Sequence, residues 1–197
     1  NTDGDVHDIH GATLNIGGTS TYCLLYSYNV ASGGAYLGRF DVTNNSNWGV
    51  GNSSDTAYTL TTNDVLNDAN SLSVGRPMVI GTNKIAYIAG GYKVDSLDLT
   101  TSSATISLNA IDIDREYEIQ SIAFYKGFLV MAAHQRSAEA GILRSKIAVF
   151  LWDTFSTSFT DPVYINDDRC GGLYQDGDTL ILFTSNGAWG NLREWNG

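Results

Sequence analysis

The chain has 197 residues with 21 acidic and 11 basic side chains, a formal charge of -10. Such scarce and scattered cations exclude a nucleic-acid surface that works by counterion release. No run approaches the ~20 apolar residues of a membrane-spanning helix, so neither nucleic acid nor membrane insertion is expected.

Apolar residues alternate or run in short β-branched and aromatic clusters, each closed by Gly, Asn, Asp or Ser, which predicts an all-β fold. Residues 137–146 carry helix formers but are cut by Gly141, and 63–70 are too short for more than a turn or two.

Four similar units follow one another when the chain is aligned on its tight turns and on an aromatic or Leu followed by Asp or Asn. The first has strands near 6–11, 22–26 and 36–41 around a Gly17-Gly18 turn. The second has 78–80, a turn at 81–83, then 85–89 and 94–98. The third has 119–125, a Lys126-Gly127 turn, 128–133, 147–153 and an outer strand at 162–165. The fourth has 172–174, a turn at 176–178, 179–184 and 191–196.

The unit endings Asp41, Asp98, Asp153 and Asn196 lie 57, 55 and 43 residues apart, bracketing the ~40 to 50 residues of a four-stranded propeller blade. A sandwich sheet would alternate apolar and polar residues. Instead Ile122, Ala123, Phe124, Leu129, Val130 and Met131 offer no polar face, so each meander needs a like neighbour on both sides.

The expectation is therefore one β-propeller region over 1–197, of about four antiparallel blades, near 5–70, 71–115, 116–167 and an incomplete 168–197. Only five residues precede Val6 to supply the missing strand, so the blades are expected to form part of a larger or incomplete ring. A closed four-bladed ring is the alternative.

Two cysteines cannot build a disulfide framework for a chain this long. Cys23 and Cys170 read as buried thiols, or as one bridge if the fold brings distant strands together. The triplets Asn44-Asn45-Ser46 and Asn52-Ser53-Ser54 match glycosylation acceptors, which chance explains in so Asn-rich a chain.

Propeller sites lie at the channel or on the loops of one face, which directs attention to each unit's first strand. Measured back from the hairpin turns, it places His10, Arg76, Gln120 and Cys170 near one level. Cys170 and His10 lack any activating context for a nucleophile and base. His7 and His10, near Asp5 and Asp8, have metal-ligand composition, but residues three apart on a strand face opposite sides. No metal or cofactor is expected. Asp3-Gly4-Asp5 and Asp176-Gly177-Asp178 read as turns.

For glycoside hydrolysis, which needs two carboxylates at one pocket, Asp8 and Glu118 are the best pair. Asp112, Asp114 and Glu116 fall at period two, as edge protection on one strand face requires. Trp152 and Trp195 hold equivalent repeat positions beside Phe40 and Leu97 and read as packing residues. Trp48 and Trp189 sit in Gly/Asn-containing loops and are the expected exposed aromatics. The candidate recognition surface is thus Trp48, Trp189, His10, Arg76 and Gln120.

The endings Ala148-Val149-Phe150-Leu151-Trp152-Asp153 and Leu192-Arg193-Glu194-Trp195-Asn196-Gly197, with Gly172-Leu173-Tyr174-Gln175-Asp176-Gly177-Asp178-Thr179-Leu180-Ile181, resemble the degenerate propeller repeats of bacteriophage virion proteins such as tail nozzle components. The last two units carry the likeness best. It implies a non-catalytic building block present in many copies. The expected role is assembly or surface recognition in a virion or other extracellular structure. Other protein subunits are its partners, and a glycan is the alternative ligand. The alternative function is a secreted carbohydrate-binding or glycoside-hydrolase-type propeller.

Overall fold

The structure, a computed structural model, describes residues 4–16, 18–30, 35–42, 56–60, 76–101, 106–135, 147–167, 169–185 and 190–195. These residues are all strand, turn or extended connection, with no helix among them. The segments 137–146 and 63–70, both glycosylation triplets, Trp48 and Trp189 lie outside the described residues.

Four antiparallel sheets form a four-blade β-propeller. Blade 1 comprises β1 (Gly4–Ile16), β2 (Thr19–Val30), β3 (Ala35–Asp41) and β4 (Thr56–Thr59). Blade 2 comprises β5 (Met78–Ile80), β6 (Ile85–Gly90), β7 (Lys93–Asp98) and β8 (Ile106–Asp112). In blade 3, β9 (Tyr117–Tyr125), β10 (Phe128–Gln135) and β11 (Ile147–Asp153) are edged by two short strands, β12 (Ser158–Phe159) and β13 (Val163–Ile165), both paired with β11. Blade 4 comprises β14 (Arg169–Asp176), β15 (Thr179–Ser185) and β16 (Gly190–Trp195).

Strand chemistry explains the meanders. Lys126 and Gly127 both take positive φ, 48° and 86°, in the two-residue turn between β9 and β10, the backbone hand that matches strand twist. At the end of each middle blade's third strand an aspartate caps the departing chain. Asp98 Oδ1 accepts from Thr100 N at 2.8 Å, and Asp153 Oδ1 from Phe155 N at 2.9 Å. The repeated aromatic-or-Leu plus Asp signature is therefore a β-edge followed by an Asx-type turn.

The blades pack face to face in sequence order, with β1 against β5, β5 against β9 and β9 against β14. One core lies between blades 1 and 2, where Leu14, Leu25 and Leu37 meet Met78, Ile88 and Leu97. The next joins Tyr87 and Val94 of blade 2 to Ile122, Leu129 and Met131 of blade 3. The opposite side of blade 3 presents Ala123, Tyr125 and Val130 to Leu180 of blade 4. Blade 3 is thus apolar on both sides, as its sequence requires.

Asp112, Asp114 and Glu116 do not share a strand face. Asp112 ends β8, while Asp114 accepts from Glu116 N at 3.0 Å through its side chain in the turn before β9. The period-two spacing there belongs to a turn, because Asp114 satisfies local amides more readily than it continues a ladder.

Leu129, fully buried between blades 2 and 3, gives a direct test of the stack. Leu129→Ala is expected to lose about 2–5 kcal/mol of stability in urea unfolding. Leu192→Ala, at an exposed position, is expected to change it by less than about 0.5 kcal/mol.

Candidate functional site

Two of the residues singled out in the sequence, His10 and Arg76, each lie beside a hydrogen bond that crosses from blade 1 to the chain entering blade 2. In register, Asp8 lies opposite Ser27 and His10 opposite Leu25. The Asp8 carboxylate accepts from Ile9 N at 2.9 Å through Oδ1 and from Met78 N of blade 2 at 2.9 Å through Oδ2. His10 Nε2 stands 3.2 Å from Asp8 Oδ1. Ser27, wholly buried, donates through Oγ to the Arg76 carbonyl at 2.7 Å. Blade 1 therefore grips the chain entering β5 at two points, residues 76 and 78.

Arg76 itself is 3% exposed, and Asp95 nearby is 2% exposed. Between the Val94–Ile111 and Ser96–Ser107 pairs the ladder shifts, with three residues of β8, 108–110, opposite Asp95 alone, and such an irregularity re-aims side chains. Asp95 Oδ1 accepts from Asn109 N at 2.8 Å, with Asn109 at φ 50°. Burial pulls the Arg76 guanidinium below its ordinary value, and the charge of Asp95 opposes that. Arg76 and Asp95 are thus opposite charges buried close together beside the seam.

Gln120 lies elsewhere. It is the extra residue of a bulge in β9, where Ser121 and Ile119 pair with the adjacent Ala132 and Ala133. Its exposed amide donates to Glu118 Oε1 at 3.4 Å. The expectation that His10, Arg76, Gln120 and Cys170 share a level assumed unbroken two-residue alternation. Bulges at His7, Gln120 and Gly171 break it in three of the four inner strands. The hydrolase pair is likewise engaged separately, Asp8 across the first seam and Glu118 with Gln120 inside blade 3.

Cys23 and Cys170 are both free thiols, and burial drives Cys170 up to about 11, leaving only a trace of thiolate at neutral pH. No group of three or more His, Cys, Asp or Glu placed to hold a metal occurs among the described residues.

Sequence reasoning missed a second polar anchor. Asp167, in the connection between blades 3 and 4, is 4% exposed and accepts from Thr184 Oγ1. It also receives Asn191 Nδ2 at 3.3 Å, and Arg193 Nε and Nη2 at 3.2 and 3.0 Å. The Thr184 hydroxyl chiefly, then Arg193 and Asn191, holds its carboxyl below the usual range. The spacing of Thr184, Asn191 and Arg193 around the β15–β16 hairpin was the available signal, since 184 pairs with 191.

The other feature of functional interest is apolar. The side of blade 1 turned away from blade 2 carries Val6, Ile9 and Tyr22, all exposed, with Tyr26, Tyr28 and Tyr36 stacked at centroid distances of 5.5 and 5.4 Å. The free side of blade 4 carries Tyr174, Phe183 and Leu192, exposed by 59%, 44% and 66%.

The Asp8–His10 pair sets a pH dependence. Asp8 raises His10 above its ordinary 6.5, mainly through their hydrogen bond. That contribution to stability is fully present below the unfolded value and is lost as pH rises through the raised folded value. His10→Gln is expected to flatten the fall in thermal midpoint between about pH 6 and 8; an unchanged pH profile in scanning calorimetry would remove His10 from the seam's energetics. No protein-family model and no curated protein matches the chain, so the reading of its function rests on this geometry.

Proposed function

We propose that the chain is a non-catalytic β-propeller whose work is assembly, as a component of a virus particle or a comparable extracellular structure. The observation that carries this reading is the pair of exposed apolar faces at the two ends of the stack. In a chain of formal charge -10, the described residues of the blade 1 face turned away from blade 2 carry no charge, and Val6, Ile9, Tyr22, Leu24, Tyr26 and Tyr28 follow one another there in register. Apolar faces of this kind mark protein–protein contact sites. The buried, saturated polar clusters serve the stack itself.

Two measurements test the proposal together. Quantitative mass spectrometry of purified particles from the source is expected to find the chain at a fixed ratio to the other particle proteins. Incubation with chromogenic glycosides and a glycan array is expected to give neither turnover nor sugar binding. Glycoside release that disappears in Asp8→Asn and Glu118→Gln would replace the assembly reading with the hydrolase one. Sugar binding without turnover would replace it with a lectin.

A further inference from the structure

We infer that the outer edge of blade 3 is a docking surface for an extended, arginine-bearing segment of a different protein. This goes beyond the assembly reading and does not depend on it. On β11, Ala148, Phe150 and Trp152 join the core shared with blade 2, and the residues paired with Ala148 and Trp152 are Tyr164 and Phe159. Five rings then follow one another. Centroids lie 6.4 Å apart from Tyr164 to Tyr117, 5.4 Å from Tyr117 to Phe150, 6.3 Å from Phe150 to Phe159 and 4.8 Å from Phe159 to Trp152. Tyr117 and Phe150 are buried, whereas Tyr164 and Phe159 are exposed by 60% and 38%. The two exposed rings therefore stand on a buried aromatic base, set apart by the span of β11 from 148 to 152, about 13 Å.

Charge names the partner. From Ile147 to Asp167 the sequence has three aspartates and neither lysine nor arginine. Asp161, exposed, sits in the connection between β12 and β13, and Asp153 ends β11 directly after Trp152. At the Tyr164 end the turn Asp114-Arg115-Glu116 is net negative. Burial first, then Tyr164, Asp114 and Glu116, raise the Tyr117 phenol above its ordinary value, so those two carboxylates act on the ring cluster itself. Aromatic faces beside carboxylates attract a cation, and a guanidinium suits both, since it stacks on a ring while its N–H fork meets a carboxylate. A second copy of this chain, at formal charge -10, brings the wrong sign. Ladder pairing is blocked too. β12 has two residues and β13 three, and Pro162 before β13 has no N–H, so the edge offers rings rather than a strand template. An extended partner segment carries residues i and i+4 on one side, again about 13 Å apart. Two arginines at that spacing reach Tyr164 and Phe159 together.

The test is fluorescence anisotropy of a labelled, otherwise uncharged Ser/Thr peptide carrying two arginines four positions apart, titrated with the full chain. Saturable binding that weakens as salt rises is expected. Glutamine in place of both arginines is expected to weaken it at least about tenfold, and placing the arginines three apart, on opposite sides of an extended segment, at least about threefold. Tyr164→Ala and Phe159→Ala are each expected to cost at least about fivefold with unchanged circular dichroism. Because Phe159 also packs on Trp152, two milder variants complete the set. Tyr164→Phe keeps the ring and is expected to bind as the wild type does, and Asp161→Asn is expected to lose about twofold or more with an unchanged melting midpoint. A wild type that leaves the peptide free at every concentration overturns the docking surface. So do ring variants that bind as tightly as the wild type, or a glutamine or three-apart peptide that binds as tightly as the original. Fixed particle stoichiometry would still uphold assembly in each of those cases, so the two readings fail separately.

Discussion

A β-sheet that is oily on both faces cannot stand in water, and that requirement shapes the molecule. In blade 3 consecutive residues Ile122 and Ala123 are both buried, one toward blade 2 and the other toward blade 4. The same holds on the paired strand for Leu129 and Val130. A sandwich would have covered one side and wetted the other. Stacking like units satisfies both sides with a single repeated solution, and stability then grows seam by seam.

Apolar contact sets no direction, so sliding of one blade over the next must be stopped by something else. The polar pins do this. Met78 N on Asp8, Ser27 Oγ on the Arg76 carbonyl, Leu173 N on Ser121 Oγ at 3.0 Å and the Tyr125 hydroxyl on Asp178 each tie a named atom of one blade to a named atom of the next. Each is worth only about 0.5–1.5 kcal/mol net. Leaving its buried partners unmatched after a slip costs more, and that asymmetry fixes register.

The stack was legible because its causes are local. Two-sided apolar runs, Lys126-Gly127 and the strand-ending aspartates that cap turns are all written in short windows of sequence. The inner-strand sites were legible only in part. Spacing measured back from the turns set His10, Arg76, Gln120 and Cys170 at one level, but the bulges at Gln120 and beside Cys170 interrupt the alternation on which that spacing relied. Nothing in the immediate sequence distinguishes a bulged Gln from a regular one, since both leave the flanking apolar residues in place. Asp167 was missed for a different reason: its three donor residues share a hairpin, which their spacing signals, but that hairpin folds back on it across sequence separations of 17, 24 and 26.

The acidic surface bears on the apolar faces of blades 1 and 4. Charges at exposed turns, such as Asp98, Asp153 and Asp178, repel indiscriminate neighbours at range. An apolar face wins against that repulsion only when a large area closes at once, because Coulomb repulsion between solvated groups is screened within roughly 8–10 Å while burial grows with contact area. A partner of arbitrary shape gathers too little area. A face built to receive a blade gathers it all. On the proposed assembly reading, the negative charge would act as a selectivity filter, and the aromatic face of blade 1, uncharged among the described residues, would be where that filter opens.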